Sequence, residues 1–104
     1  MALLLSDLVG RPALHLSVAA CPEHLDRPVL AAHASELLRP GPWLQGGELL
    51  MTIGLLLPMD VAACRRYVED VAAGGAHALA LGLGPDLPHQ EAPEPLVTAA
   101  AQAG

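Results

Sequence analysis

The sequence contains no lysine and no phenylalanine, and Trp43 and Tyr67 are its only aromatic residues apart from the histidines. Without phenylalanine, the core has to be built from leucine, valine and alanine, with few large anchors. Five arginines face eleven acidic residues, a formal net charge of −6. Such a segment repels a phosphate backbone instead of releasing its counterions, which excludes nucleic-acid binding by this stretch of chain. Charge is sparse as well: 15% of residues are charged and 53% are hydrophobic, the reverse of a disordered composition.

Cysteine is scarce. Cys21 and Cys64 lie far apart with no second pair nearby, so neither a disulfide framework nor a CxxC signature is present, and both are expected as reduced thiols. The five histidines (His15, His24, His33, His77 and His89) show no i,i+4 or HxH spacing, so no metal site and no cofactor are expected. His15 and His33 would face each other, or a ligand, if adjacent strands carried them on one face. The apolar stretch Leu49 to Met59 is well short of the ~20 residues that span a bilayer. Met1 to Leu5 is apolar, but it lacks a basic flank and runs straight into Ser6-Asp7, unlike a signal peptide. These absences lead us to expect a cytoplasmic protein without membrane association. No GxSxG elbow or nucleophile, base and orienter set appears, so no enzymatic activity is expected.

A chain of 104 residues suits one domain, here residues 1–104. Ser6 to Val9 reads as a short helix with Ser6 as N-cap, stopped by Gly10-Arg11-Pro12. Leu14-His15-Leu16-Ser17-Val18 alternates apolar and polar residues, the period of a strand with one buried face. Asp26-Arg27-Pro28 reads as a turn, Val29 to Ala34 as a second strand, and Arg39-Pro40-Gly41-Pro42 as a loop. Leu49 to Ile53 is apolar on both faces, as strands of a parallel sheet covered on both sides are. Asp60 is a good N-cap for a helix whose stripe is Val61, Cys64, Val68, Val71 and Ala72. Its other face pairs Arg65 with Glu69 and Arg66 with Asp70, and Gly74-Gly75 stops it. Ala78 to Leu83 completes a strand, helix, strand unit, with a right-handed crossover expected. Pro85 to Pro95 reads as a mobile loop and Leu96 to Ala103 as a helix. The pattern specifies an α/β domain, mainly a parallel sheet with flanking helices. A last helix at this point would lead into another strand, so the domain reads as cut short, with a sheet edge open to a partner strand.

Gly82-Leu83-Gly84 is half a dinucleotide fingerprint, but Pro85-Asp86 follows where a third glycine and a helix should open, so it reads as a turn. The run Trp43-Leu44-Gln45-Gly46-Gly47-Glu48 ahead of Thr52 and Gly54 is more unusual. Paired glycines allow close backbone approach to a ligand or to another chain segment. Thr52 offers a hydroxyl at the carboxyl end of a parallel strand, where open sheets bind ligands.

Together with Ser6-Asp7-Leu8, Asp26-Arg27-Pro28-Val29 and His33-Ala34-Ser35-Glu36-Leu37, this run resembles the N-terminal domain of bacterial transcriptional regulators of the purine-catabolism regulator (PucR) type, over Leu5 to Gly104. Ile53 stands where a second threonine is usual, and Ala34 replaces a valine. The resemblance implies a fold similar to the N-terminal domains of HPr kinase and Mur-ligase-like proteins. It also implies a domain ahead of a C-terminal helix-turn-helix, through which alone DNA would be bound and which this chain lacks. That domain would sense a small-molecule effector linked to purine or other nitrogen catabolism; the alternative expectation is a ligand-free dimerisation module of the regulator, whose sheet edge or apolar helix face builds a homodimer. The expected ligand site is Trp43, Gly46, Gly47, Glu48, Thr52 and Gly54, backed by Ser35 and Glu36. Glu36 or Glu48 would pair with an amide or ureido group.

Overall fold

The computed structural model describes residues 3–103; Met1, Ala2 and Gly104, the outermost residues of the expected domain, lie outside the described residues. Its centre is a three-stranded, wholly parallel sheet in the order β1 (Ala31–Ala34), β2 (Glu48–Thr52), β3 (Ala78–Leu81). The expected α/β class and the parallel sheet are therefore both present. Side chains alternate along a strand and partners in register share a face. Glu48, Leu50 and Thr52 thus lie on one face with Leu79 and Leu81, and Leu49 and Met51 lie on the other with Ala78 and Ala80.

The first face is covered by helices α2 (Val61–Ala73) and α3 (Glu94–Ala103), which pack against each other. Leu50 and Cys64 have no exposed surface, and Tyr67, Val68, Val71, Leu96 and Ala99 close round them. Burying a leucine such as Leu50 completely is worth about 1.5–3 kcal/mol. The second face has neither α2 nor α3 on it: Met51 is 38% exposed and all four residues of β1 are exposed. The apolarity of both faces of β2 is met there by the irregular N-terminal segment, which borders a cavity with Leu49, Ala78 and Ala80.

Three local expectations are corrected. Leu14 to Val18 forms no strand: Pro12–Leu14 is a 3-10 turn, His15 is left-handed at φ 52°, and Leu14, Leu16 and Val18 are each more than a third exposed. The alternation was real, but proline and the left-handed residue break the extended backbone, and no partner strand pairs with it. His15 therefore does not lie on a strand beside His33. Helix α1 (Leu5–Val9) is capped two residues earlier than expected; Leu4, not Ser6, is its N-cap, and its N–H donates to Asp7 Oδ2 at 2.9 Å. In α2, Asp60 caps as expected, accepting from Ala63 N at 2.8 Å, but the buried stripe runs through Ala63, Cys64, Tyr67, Val68 and Val71. Val61 (62% exposed) and Ala72 face out, because the sheet meets the helix through the Tyr67 side.

Neither arginine–carboxylate pair of α2 closes within 4 Å among the described residues. Asp70 instead accepts from Gly41 N at 2.8 Å, tying the 3-10 turn Gly41–Trp43 to the end of α2. The approach there is close: a Cβ on Gly74 would lie 2.7 Å from the Gly41 carbonyl oxygen and 2.8 Å from its Cα. Gly74 has ordinary helical dihedrals, φ −73° and ψ −7°. On conformation alone, Gly74→Ala would stabilise the protein by about 0.4–1 kcal/mol. The overlap with backbone reverses that sign, and we expect a loss of about 1 kcal/mol or more, read as a lowered urea midpoint with unchanged m-value.

Candidate functional site

The eight expected site residues fall into two groups at opposite ends of β2. Four steps of about 3.3 Å separate Glu48 from Thr52, so roughly 13 Å lies between the groups. Trp43, Gly46, Gly47 and Glu48 stand at the amino end; Ser35, Glu36, Thr52 and Gly54 stand at the carboxyl end.

At the amino end the glycines serve close packing. Gly46 and Gly47 have φ of 108° and 82°, conformations that L side chains rarely adopt. A Cβ on Gly47 would come within 2.5 Å of Leu30, and Gly47 N donates to Gly75 O at 2.7 Å. Gly46 Cα in turn lies 3.0 Å from where a Gly75 Cβ would be. Glu48 is only 6% exposed, yet its carboxylate is satisfied: Gln45 N donates to Oε2 at 2.6 Å and Gly46 N to Oε1 at 2.7 Å. The Gln45 bond lowers the Glu48 pKa, burial opposes it, and the Gly46 bond and the nearby His33 lower it further. Trp43, by contrast, is 70% exposed.

At the carboxyl end Glu36 reaches from the segment after β1 to the turn after β2. Its Oε1 accepts from the Thr52 hydroxyl at 2.9 Å and from Leu55 N at 3.2 Å, and its Oε2 accepts from Ile53 N at 3.0 Å. Thr52 Oγ1 also accepts from Gly54 N at 3.1 Å. Burial pushes the Glu36 pKa up, but the bonds from Ile53, Thr52 and Leu55 outweigh it and hold the carboxyl below its ordinary value. Ser35 supports the bend: its N–H donates to Met51 O and its hydroxyl accepts from Leu37 N at 3.1 Å. Gly54, at φ 71°, lies against Met59 and His89.

Behind Thr52 stands Tyr67, 3% exposed, whose hydroxyl has no hydrogen-bond partner among the described residues. Burial pushes this phenol up to about 12; proximity to Thr52 draws it down, without a bond of good geometry, and the charges of Glu36 and Asp70 push it up. Tyr67 and Asp70 were not anticipated as part of either group. The signal was available for Tyr67: a lone tyrosine on the apolar side of a helix brings a hydroxyl that needs an acceptor. For Asp70 the i,i+4 arginine pairing suggested solvent instead. Among the described residues no three His, Cys, Asp or Glu side chains cluster to hold a metal ion, and no helix is long and apolar enough to cross a membrane.

Both carboxylates have folded-state pKa values below their ordinary 4.5. A depressed carboxylate stabilises the fold fully above its unfolded value and loses that contribution as pH falls through the folded one. The urea midpoint is therefore expected to fall from about pH 5 downward, and the fall should be shallower in Glu36→Gln with Glu48→Gln. An equally steep fall in the double variant would assign the acid sensitivity to other groups.

Residues 7–104 match the model of the purine catabolism regulatory protein-like family. A curated relative, the transcriptional activator PmfR of Paenarthrobacter nicotinovorans, is 40% identical over 76 residues, 73% of this chain and 16% of the relative. The chain thus spans about a sixth of the length of that relative. No solved structure matches. With nearly the whole sequence matched, the chain belongs to the purine catabolism regulatory protein-like family of transcriptional regulators.

Proposed function

We propose that this chain is the small-molecule-sensing domain of a cytoplasmic transcriptional regulator, and that its effector meets the carboxyl ends of β1 and β2 at Ser35, Glu36, Thr52 and Gly54. Glu36 carries this reading. Among the described residues its carboxylate is the one side-chain clamp on the amides of Ile53 and Leu55, at the end of a parallel sheet where open α/β folds take ligands. An effector bearing amide or ureido N–H groups competes with those amides for Glu36. Occupancy would then release the turn after β2, which leads through Leu57 and Asp60 into α2, and the signal would travel along that helix. Purine or other nitrogen catabolism is the effector chemistry in keeping with the family. DNA would be contacted by another part of the regulator, given the −6 charge of this segment.

A second reading draws on the amino end. Trp43 (70% exposed) and Leu30 (69% exposed) flank the rigid glycine turn, and large exposed apolar side chains of this kind anchor protein interfaces. In that reading Trp43, Gly46, Gly47 and Glu48 present a homodimer contact, and the domain needs no ligand. Sedimentation separates the two: a chain that stays monomeric at high micromolar concentration removes the second.

For the first, thermal-shift and calorimetric titration of the regulator with xanthine, urate and allantoin is expected to give a stabilising shift with at least one of them. Glu36→Gln and Thr52→Ala should abolish it, while Glu48→Gln should leave it. A shift that persists unchanged in Glu36→Gln and Thr52→Ala would refute the carboxyl-end site.

A further inference from the structure

Away from both groups, the structure holds a cavity of about 590 Å³ along the free edge of β3. None of the eight residues discussed above lines it. Its floor is Leu79 and Leu81 with the β3 backbone, one wall is α2 and α3 through Val71, Leu96 and Ala100, and the other is the irregular segment 14–21. The volume falls within the range of small-molecule sites, roughly 300–1,000 Å³.

The charge of its lining sets it apart from the rest of the molecule. None of the eleven acidic residues of the chain lines it, whereas Arg27, His15, His24 and His77 do. Arg27 Nη1 donates to the His77 carbonyl at 3.3 Å, which brings fixed positive charge to the amino end of β3. His77 Nδ1 is 2.7 Å from Pro28 O, so the neutral ring carries its proton there and turns Nε2 away from that carbonyl. His24 lies three residues before Arg27; Glu23, 3.7 Å from its Nε2, is outside the lining and 63% exposed at its side chain.

The outer wall is a strap held at its ends in an uncommon backbone conformation. Among the described residues His15 (φ 52°) and Cys21 (φ 55°) are the non-glycine residues of positive φ, and they bound residues 15–21. Such residues persist only where their surroundings hold them, and they gather at ligand clamps and switches. Cys21 Sγ donates to Ala100 O at 3.4 Å, which latches the strap to α3 across the cavity.

We propose that this cavity binds the anion of a small, largely apolar carboxylic acid, its hydrocarbon body between β3 and α3 under the strap and its carboxylate toward Arg27 and His24. Complementary charge selects the occupant: in a molecule of net charge −6, an apolar chamber lined by one guanidinium and by no acidic residue favours a carboxylate over a neutral or cationic group of equal size. The site is independent of the Glu36 face, so either can fail alone.

The test is calorimetric titration of the full chain with phenylbutyrate and with its uncharged amide. The acid is expected to bind about tenfold or more tightly than the amide, a preference that shrinks as salt is raised. Arg27→Gln should bring the acid down to the affinity of the amide while the affinity for the amide stays put, which also reports that the variant is folded. Arg27→Lys should keep most of the preference. Ala80→Leu and Ala100→Leu, which fill the cavity, should abolish binding of both probes without lowering the melting temperature. Equal binding of acid and amide in the unaltered protein would overturn the anion assignment. Binding of neither probe, or binding that survives cavity filling, would overturn the site itself.

Discussion

Two carboxylates hold the ends of the central strand. A parallel strand leaves its flanking turns with N–H groups that the ladder cannot pair, and a buried unpaired donor costs about 1–3 kcal/mol. Glu48 answers for Gln45 and Gly46 before β2; Glu36, with the Thr52 hydroxyl, answers for Ile53, Gly54 and Leu55 after it. Each carboxylate accepts from backbone rather than from a cation, so neither bond needs a lysine or arginine nearby. That suits a chain with five basic residues in all. The same arrangement makes the two ends of β2 unlike each other. The amino end is closed by glycine against glycine, at Gly47 and Gly75, whereas the carboxyl end is closed by one side chain that reaches across from β1.

Much of this was legible in the sequence. The apolar run around Leu49 to Ile53, the Asp60 cap, Gly74-Gly75 and the run Ala78 to Leu83 gave the strand, helix, strand unit with boundaries correct to a residue or two, because cap, glycine stop and periodicity agree at each of them. Failures occurred where only one signal was present. Leu14 to Val18 had the period of a strand but neither a partner nor a backbone free of proline, and tertiary context decided against it. The stripe of α2 was misjudged by a rotation of the helix, since Tyr67 was not counted as apolar although its ring is the largest in the core.

The candidate site was legible by residue and illegible by geometry. Trp43 to Gly54 is a single stretch of sequence, which invites reading it as one pocket. A five-residue strand lies inside it, however, and a strand separates what it joins: the residues before and after β2 cannot reach the same small ligand. Glycine pairs carry the same ambiguity. The sequence announces close approach, and only the fold reveals that what approaches Gly47 is Leu30 and Gly75, both of this same chain.

The one-sided sheet accounts for the remaining features. With both helices on the Leu50 face, the opposite face of an apolar strand would stand in water, and leaving Leu49 and its neighbours there would forfeit roughly 25 cal/mol for each Å² of apolar surface. The N-terminal segment supplies cover with little regular structure beyond the short helix α1, and the rest of its backbone turns locally, in the 3-10 turns Pro12–Leu14 and Pro22–His24. Such turns bond locally and leave the span between them loosely packed, which is why a chamber opens between this segment and the edge formed by β3, α2 and α3. A close-packed helix in that position would have filled the space; an irregular strap between two left-handed residues leaves it open to be filled from outside.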